Sequence, residues 1–167
     1  MPGKTGDEAI RLELLLTLLP GTRHHIMKSH PRKIILAVTG ASGSVYAKKL
    51  LEILSSVKNL PAEIAVVFSD NAKEIWKYET GNSFLAMEPA REYSNKDFYS
   101  PFASGSCEHD TMIICPASMG IIGRIANGTS EDLLARAADV MLKERRKLII
   151  VPKNELFGSR CVVFVDN

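Results

Sequence analysis

The sequence predicts a three-layer α/β domain in which a parallel sheet carries helices on both faces. Three observations lead to it. Short apolar runs at 34–38 (IILAV), 63–68 (EIAVVF), 111–115 (TMIIC) and 147–151 (KLIIV) lack a polar face and suit strands covered on both sides. The first three pass into turns of small and polar residues at 39–43, 69–71 and 116–120. After those turns, apolar residues recur at helical spacing. Strand, turn and helix repeated in this order imply right-handed crossovers and a doubly wound sheet, which takes ligands beyond the carboxyl ends of its strands.

The first such unit, KIILAVTGASGSVYA at 33–47, organises the rest. Ala47, Leu50, Leu51, Leu54 and Val57 mark the buried face of the helix that follows, so Gly40 and Gly43 stand where a buried strand hands over to a helix N-terminus. Unpaired N–H groups and the positive end of the helix dipole favour an anion there, and Ser42 adds a hydroxyl. The full G-x-G-x-x-G spacing is absent, and no G-K-[ST] makes it a P-loop. On this stretch alone, a phosphate-binding turn and a turn that merely closes strand onto helix stand level.

Composition narrows the class. A chain of 167 residues builds one domain with a proper core. Hydrophobic content of 46%, charged content of 24% and a net charge of +2 fit a globular protein and give no sign of a nucleic-acid partner. Cys107, Cys115 and Cys161 lack metal-ligand spacing and read as reduced thiols of a cytoplasmic protein, with no metal site expected. Residues 1–31 form an N-terminal extension to a single domain at 32–167. Its apolar part, 12–19, is too short to span a membrane, and Asp7, Glu8, Arg11 and Glu13 argue against a signal peptide. It reads as an appended helix lying on a neighbouring subunit, and His24, His25 and His30 read as linker residues.

Further along, 69–71 (SDN) caps a helix containing Ala72, Ile75 and Trp76, and Ser69 lies at a strand's carboxyl end. Residues 81–107 read as an irregular, aromatic-rich segment ending in the small polar turn ASGS at 103–106. Pro116 closes the third strand, and ASMG at 117–120 opens the segment 121–127. Ser130 is the expected N-cap of a helix over 131–145, with Leu133, Leu134, Ala137, Ala138, Met141 and Leu142 as its buried stripe. Arg145 and Arg146 read as a solvated basic helix end that satisfies the dipole. Residues 161–165 form a last strand, and Trp76 and the stripe are structural or interfacial.

Four separated pieces carry a resemblance: TGASGSVYAKKLLEIL at 39–54, PFASGS at 101–106, ICPASMGIIGRIANG at 114–128 and LLARAADVMLKERRKLIIVP at 133–152. Together they resemble the flavin prenyltransferases (UbiX type, formerly aromatic-acid decarboxylase), within the flavin-binding cysteine decarboxylase homologues. The resemblance covers roughly 33–153 in order. It implies a flavodoxin-like or Rossmann-like fold, FMN bound between subunits of a homo-oligomer, no metal, and transfer of a dimethylallyl group from dimethylallyl phosphate to reduced FMN for a partner decarboxylase. It further implies that Gly40, Ala41 and Ser42 hold the FMN phosphate region, that Ser69, Ser118, Met119, Gly120 and Ile121 complete the flavin site, and that Arg136 and Lys153 lie near the phosphates. Ser104 and Lys143 match positions that bind the prenyl phosphate, and Glu79, in KYETG, matches an active-site carboxylate. The types suit the chemistry: a leaving phosphate needs cations and a hydroxyl donor, and a flavin nitrogen losing a proton needs a carboxylate.

Two departures stand out. Lys153-Asn154 occupies the place of an Arg-Glu pair, with Glu155 one residue on, and no Tyr or Arg for the substrate phosphate follows the strand at 161–165. These imply a chain shortened at its C-terminus or one that has lost full activity, so a weakly active FMN carrier or accessory subunit is the alternative. A cysteine-type oxidative decarboxylase is disfavoured, because Gly120 stands where that branch has Asn and no His lies between His30 and His109.

Overall fold

The computed structural model describes residues 32–56, 63–153 and 163–165. The extension at 1–31, Val57, and the departures at Asn154 and Glu155 lie outside the described residues. Strands β1 (Lys33–Val38), β2 (Glu63–Phe68), β3 (Ala90–Tyr93), β4 (Thr111–Ala117), β5 (Lys147–Pro152) and β6 (Val163–Val165) form one sheet in the order β3-β2-β1-β4-β5-β6. β1 to β5 are mutually parallel, and β6 closes the edge antiparallel to β5. Helices α1 (Ser44–Ser56), α2 (Ala72–Thr80), α3 (Met119–Ala126) and α4 (Leu133–Lys143) connect them. Strand order reverses between β1 and β4, which makes their carboxyl ends the switch point of a Rossmann-like sheet.

Alternation along the strands sends side chains to two cores, as a sheet covered on both faces requires. On one face Ile34, Leu36, Ile64, Val66 and Phe68 pack under α1 and α2 with Ala47, Ala72 and Trp76. On the other, Ile35, Ala37, Val67, Met112, Ile114 and Leu148 pack under α4 and the short 3-10 turn Pro101–Ala103. Trp76 is a core residue, meeting Phe68 and Phe84 with ring centroids 5.5 Å apart in each case. The α4 stripe is buried as expected in Leu133, Leu134, Ala137, Ala138 and Met141, all without exposed surface, while Leu142 is only half-buried.

Three local expectations are corrected. The segment 81–107 holds β3, whose AREY sequence has no apolar run because the strand sits at the sheet edge and buries fully only Ala90. Helix α4 starts at Leu133, two residues later than expected, because Asp132 rather than Ser130 is its N-cap, accepting from Ala135 N–H at 2.9 Å while it pairs with Arg124 at 2.6 Å. Ser130 donates instead to Asp139. Asn71 stands at the N-cap of α2 but makes no side-chain cap.

His109, just before β4, is 1% exposed and stacks edge-on against Phe102 at 5.2 Å. Among the described residues neither ring nitrogen has a hydrogen-bond partner. Burial pushes its pKa below the usual 6.5; Glu63 and Asp110 oppose the shift, and Lys33 and Arg146 add to it.

Two predictions follow from this packing. Leu134→Ala should lower unfolding free energy by roughly 2 to 5 kcal/mol in urea denaturation, the cost of a cavity at a fully buried site; a loss near zero would show that α4 faces the wrong way. The unfolded chain protonates His109 before the folded one, so its stability contribution is complete above pH 6.5 and drains as pH falls below that value. The urea midpoint should drop below about pH 6.5, ahead of the windows of Asp132 and Glu79 in the ordinary carboxylate range, and His109→Phe should flatten that first drop.

Candidate cofactor and phosphate site

The switch point is stitched by a single side chain. Thr39, 2% exposed, donates its hydroxyl to Pro116 C=O at 2.7 Å and accepts from Ser118 N–H at 2.9 Å, while its own N–H also reaches Pro116 C=O at 3.2 Å. The two strand-end turns are thereby held as one surface. Gly43 has φ +122°, a conformation suited to glycine, and a Cβ there would crowd Tyr46 at 3.3 Å and Pro116 at 3.4 Å. Gly40 lies against α2, where a Cβ would sit 3.5 Å from Asn71 and 4.0 Å from the Ser69 hydroxyl.

The N-terminus of α1 is already filled by a carboxylate. Glu79, near the end of α2, accepts from Gly43 N–H at 2.9 and 3.0 Å and from Ser44 N–H at 2.6 Å. Partial burial pushes its pKa up, but hydrogen bonds from the Ser42 hydroxyl and from the Gly43 and Ser44 N–H groups outweigh it and hold the carboxyl below the usual range. Ser42 and Glu79, predicted from separate parts of the chain, therefore meet. No described residue accepts the N–H of Gly40, Ala41 or Ser42. A cleft of about 400 Å³ opens beside Ser69 at the carboxyl ends of β2 and β3, lined also by Asp70, Lys73 and Tyr93.

Across the switch point Ser118 caps α3, accepting from Ile121 N–H at 3.4 Å. Met119 and Gly120 are exposed beside it and Ile121 is buried. Lys153 is exposed at the end of β5, its N–H bonded to Ala117 C=O at 3.1 Å. These residues share the carboxyl edge with the Gly40–Ser42 turn.

Ser104 and Lys143 stand elsewhere. Helix α4 starts at the carboxyl edge, where Leu133 N–H bonds Asn95 C=O at 2.8 Å, and runs to the amino edge, where Lys147 N–H bonds Asp110 C=O at 3.2 Å. Lys143, its last residue, is thus at the opposite edge and on the opposite face from Glu79. It pairs with Glu144 at 3.2 Å, and the Glu144 carboxylate lies so close to Gly105 that a Cβ there would overlap it, which puts Lys143 beside Ser104. Arg136, exposed on α4, donates from Nε to Ala103 C=O at 3.2 Å. Glu79 and Lys143 therefore stand apart within one protomer.

Arg146 corrects an expectation. It is half-buried and donates to Gly105 C=O at 2.7 Å, His109 C=O at 3.0 Å and Cys107 Sγ at 2.7 Å. A guanidinium with several donors in a fixed fork can serve all three of these acceptors at once. Asn95 was also missed: its side chain accepts from Leu134 N–H at 3.0 Å and helps to cap α4. A polar residue inside an irregular segment carries no pattern that would mark it, whereas Thr39 could have been suspected as a β-branched hydroxyl between strand and glycine turn.

The Flavoprotein family model matches residues 22–160. The chain is 44% identical over 129 residues to "Flavin prenyltransferase UbiX" of Methanocaldococcus jannaschii, covering 76% of this chain and 68% of the relative. Among solved structures, AnUbiX (PadA1) in complex with FMN and dimethylallyl pyrophosphate matches with a TM-score of 0.68 at 36% identity, over 75% of this chain and 66% of that one. A dodecameric FMN-dependent UbiX-like decarboxylase from Escherichia coli O157:H7 matches with a TM-score of 0.67 at 36% identity, over 73% of this chain and 67% of that one. The chain thus spans about two thirds of the length of these relatives. With the parallel sheet and its switch-point turns in place, these matches show that the chain belongs to the Flavoprotein family and, within it, to the flavin prenyltransferases of the UbiX type.

Proposed function

We propose that the protein binds FMN and transfers a dimethylallyl group from dimethylallyl phosphate to reduced FMN, supplying a partner decarboxylase. The observation that carries this reading is the Ser42–Glu79 pair locked onto the N-terminus of α1 at the switch point. The residues there fit a flavin mononucleotide. Among the described residues the Gly40, Ala41 and Ser42 N–H groups are uncommitted, and Gly40 lies beside the Ser69 hydroxyl. Met119, 57% exposed across the crevice, offers an apolar surface to a ring. When bound, FMN supplies the ring nitrogen that the dimethylallyl carbon joins as that carbon's bond to the phosphate oxygen breaks.

The chain's own residues divide the remaining work. Because Gly43 and Ser44 N–H are committed to Glu79, a cofactor phosphate is left the Gly40–Ser42 backbone and Ser69. Glu79, held ionised, is a weak base in this arrangement; it orients the Ser42 hydroxyl and takes up a proton at its carboxylate only as those hydrogen bonds loosen. Ser104 and Lys143 supply a hydroxyl donor and a positive charge to a leaving phosphate, whose charge grows as the C–O bond breaks. Arg136 and Lys153 add positive charge near the phosphates. One protomer keeps the Glu79 and Lys143 groups on opposite faces and edges, so a complete site takes them from different protomers of a homo-oligomer. The free thiols Cys107 and Cys115 support a reducing, cytoplasmic setting.

The carrier reading is favoured by one observation, Asn154 at the position of the family's carboxylate. Two tests decide. Ser69→Asp should weaken FMN binding in a flavin fluorescence titration by on the order of 100- to 1,000-fold, since like charges about 4 Å apart repel by several kcal/mol in a partly desolvated site; unchanged binding would sink the phosphate assignment. If proton transfer is slow for want of a carboxylate, Asn154→Glu should accelerate prenyl-flavin formation by roughly 100-fold or more, the usual contribution of a general acid or base. If Glu155 takes that place, Glu155→Gln should slow it instead, and no response to either favours the carrier.

A further inference from the structure

We infer that Arg146 is a positioning residue, which fixes the loop at 103–109 so that the Ser104 hydroxyl and the Lys143 ammonium converge on the phosphate of the prenyl donor; this rests on the reading of Ser104 and Lys143 given above. Helix α4 ends in a Schellman turn. Arg146 N–H reaches back to Met141 C=O at 2.8 Å and Arg145 N–H to Leu142 C=O at 3.1 Å, with Arg145 itself left-handed at φ +53°. A non-glycine residue in that conformation is held there by its surroundings. The turn reverses the chain and aims the Arg146 side chain back across the loop.

Once there, the guanidinium replaces solvent for three acceptors in five residues: Gly105 C=O, Cys107 Sγ and His109 C=O. These acceptors begin one residue after Ser104. Besides Arg146, the loop is tied by Arg136 to Ala103 C=O, by Cys107 N–H to Ser104 C=O at 3.2 Å and, further along, by Lys33 to Glu108 at 2.7 Å. Ser104 itself is exposed, and among the described residues its hydroxyl meets Ser106 alone, at 3.4 Å, so its placement depends on the backbone beneath it. The same helix end carries Lys143 and Glu144, and Gly105 leaves room for the Glu144 carboxylate. Arg146 therefore holds a hydroxyl donor in register with a cation on another element, the geometry a leaving phosphate needs, without touching the phosphate.

The test compares Arg146→Met, Arg146→Lys, Ser104→Ala and the double variant Arg146→Met/Ser104→Ala in the full chain. Measured are FMN affinity, kcat/KM for dimethylallyl phosphate, and hydrogen exchange of amides 103–110. Arg146→Met should lower kcat/KM by about 10- to 100-fold, as small misplacements of a binding group do, leave FMN affinity within about twofold, and speed exchange within the loop alone. In the Ser104→Ala background the further loss should shrink to about twofold or less, because coupled residues are not additive. Arg146→Lys, which keeps the charge but reaches fewer acceptors, should be intermediate, and it decides the matter if Arg146→Met does not fold. Additive losses, an equal loss of FMN affinity, or unchanged loop exchange would overturn the inference. If the unaltered chain transfers no prenyl group, the functional reading fails, while the exchange measurement still decides whether Arg146 holds the loop. If Ser104→Ala leaves kcat/KM unchanged, both the role of Ser104 and the positioning by Arg146 are overturned.

Discussion

The arrangement at the carboxyl edge depends on one buried hydroxyl. At a switch point the crossovers leave toward opposite faces, so the backbone that emerges from the two central strands loses the ladder partners it had inside the sheet, and each buried polar group there must find another. Thr39 supplies two at once, donating to Pro116 C=O and receiving from Ser118 N–H. Leaving Ser118 N–H unpaired would cost about 1 to 3 kcal/mol, whereas Pro116 C=O also receives the Thr39 N–H. More is held than stability. The turn before α1 and the turn before α3 belong to crossovers on different faces, and this bridge helps to set the distance between them. A ligand that touches both turns reads that distance.

Given a fixed crevice, the next constraint is electrostatic. A helix N-terminus facing a crevice attracts negative charge, and the protein answers with its own carboxylate. Glu79 at the end of α2 can reach it because α2 packs on α1 through the shared core of Ala47, Ala72 and Trp76. Against the upward push of partial burial, the Ser42 hydroxyl first and then the Gly43 and Ser44 N–H groups hold the carboxyl below its usual range. A carboxylate so held repels a phosphate approaching the same two N–H groups and leaves the Gly40 side of the turn as the place where an anion meets donors without a competing charge. The strand-glycine-helix unit thus separates two anion functions over a few residues.

Much of this was legible in the residues. The strands facing two cores announced themselves as apolar runs, and the small-residue turns after β1 and β4 marked the switch point. β3 was not legible, because an edge strand needs no apolar run and AREY reads as a loop. The start of α4 was displaced because Ser130 and Asp132 are both residue types that cap helices, and Asp132 is held in place by Arg124, a residue of another helix. Glu79 was named only through family resemblance, and its meeting with Ser42 was not foreseen; periodicity would have left Glu79 a surface residue. Arg146 was misjudged for the same physical reason. A basic residue past a helix end looks solvated until the fold brings carbonyl oxygens to it, and the loop that brings them is non-local in sequence.

The amino edge works by the reverse of the logic at the carboxyl edge. A helix C-terminus presents unpaired carbonyls and the negative end of the dipole, so an exposed α4 end would repel a phosphate. Here the Schellman turn ties two of those carbonyls to Arg145 and Arg146 N–H, and Lys143, Arg145, Arg146 and Lys147 crowd positive charge into the last turn and beyond. Glu144 balances part of it by pairing with Lys143. On the proposed reading, the remaining surplus would let an end that ordinarily rejects anions face one, provided the loop across it contributes no unpaired carbonyls of its own. Gly105 and His109 would contribute two, and Arg146 takes both. Neutralising the loop's acceptors and placing its hydroxyl are therefore one act of the same side chain, which is why a residue that reads as surplus charge in the sequence sits half-buried at the joint between helix and loop.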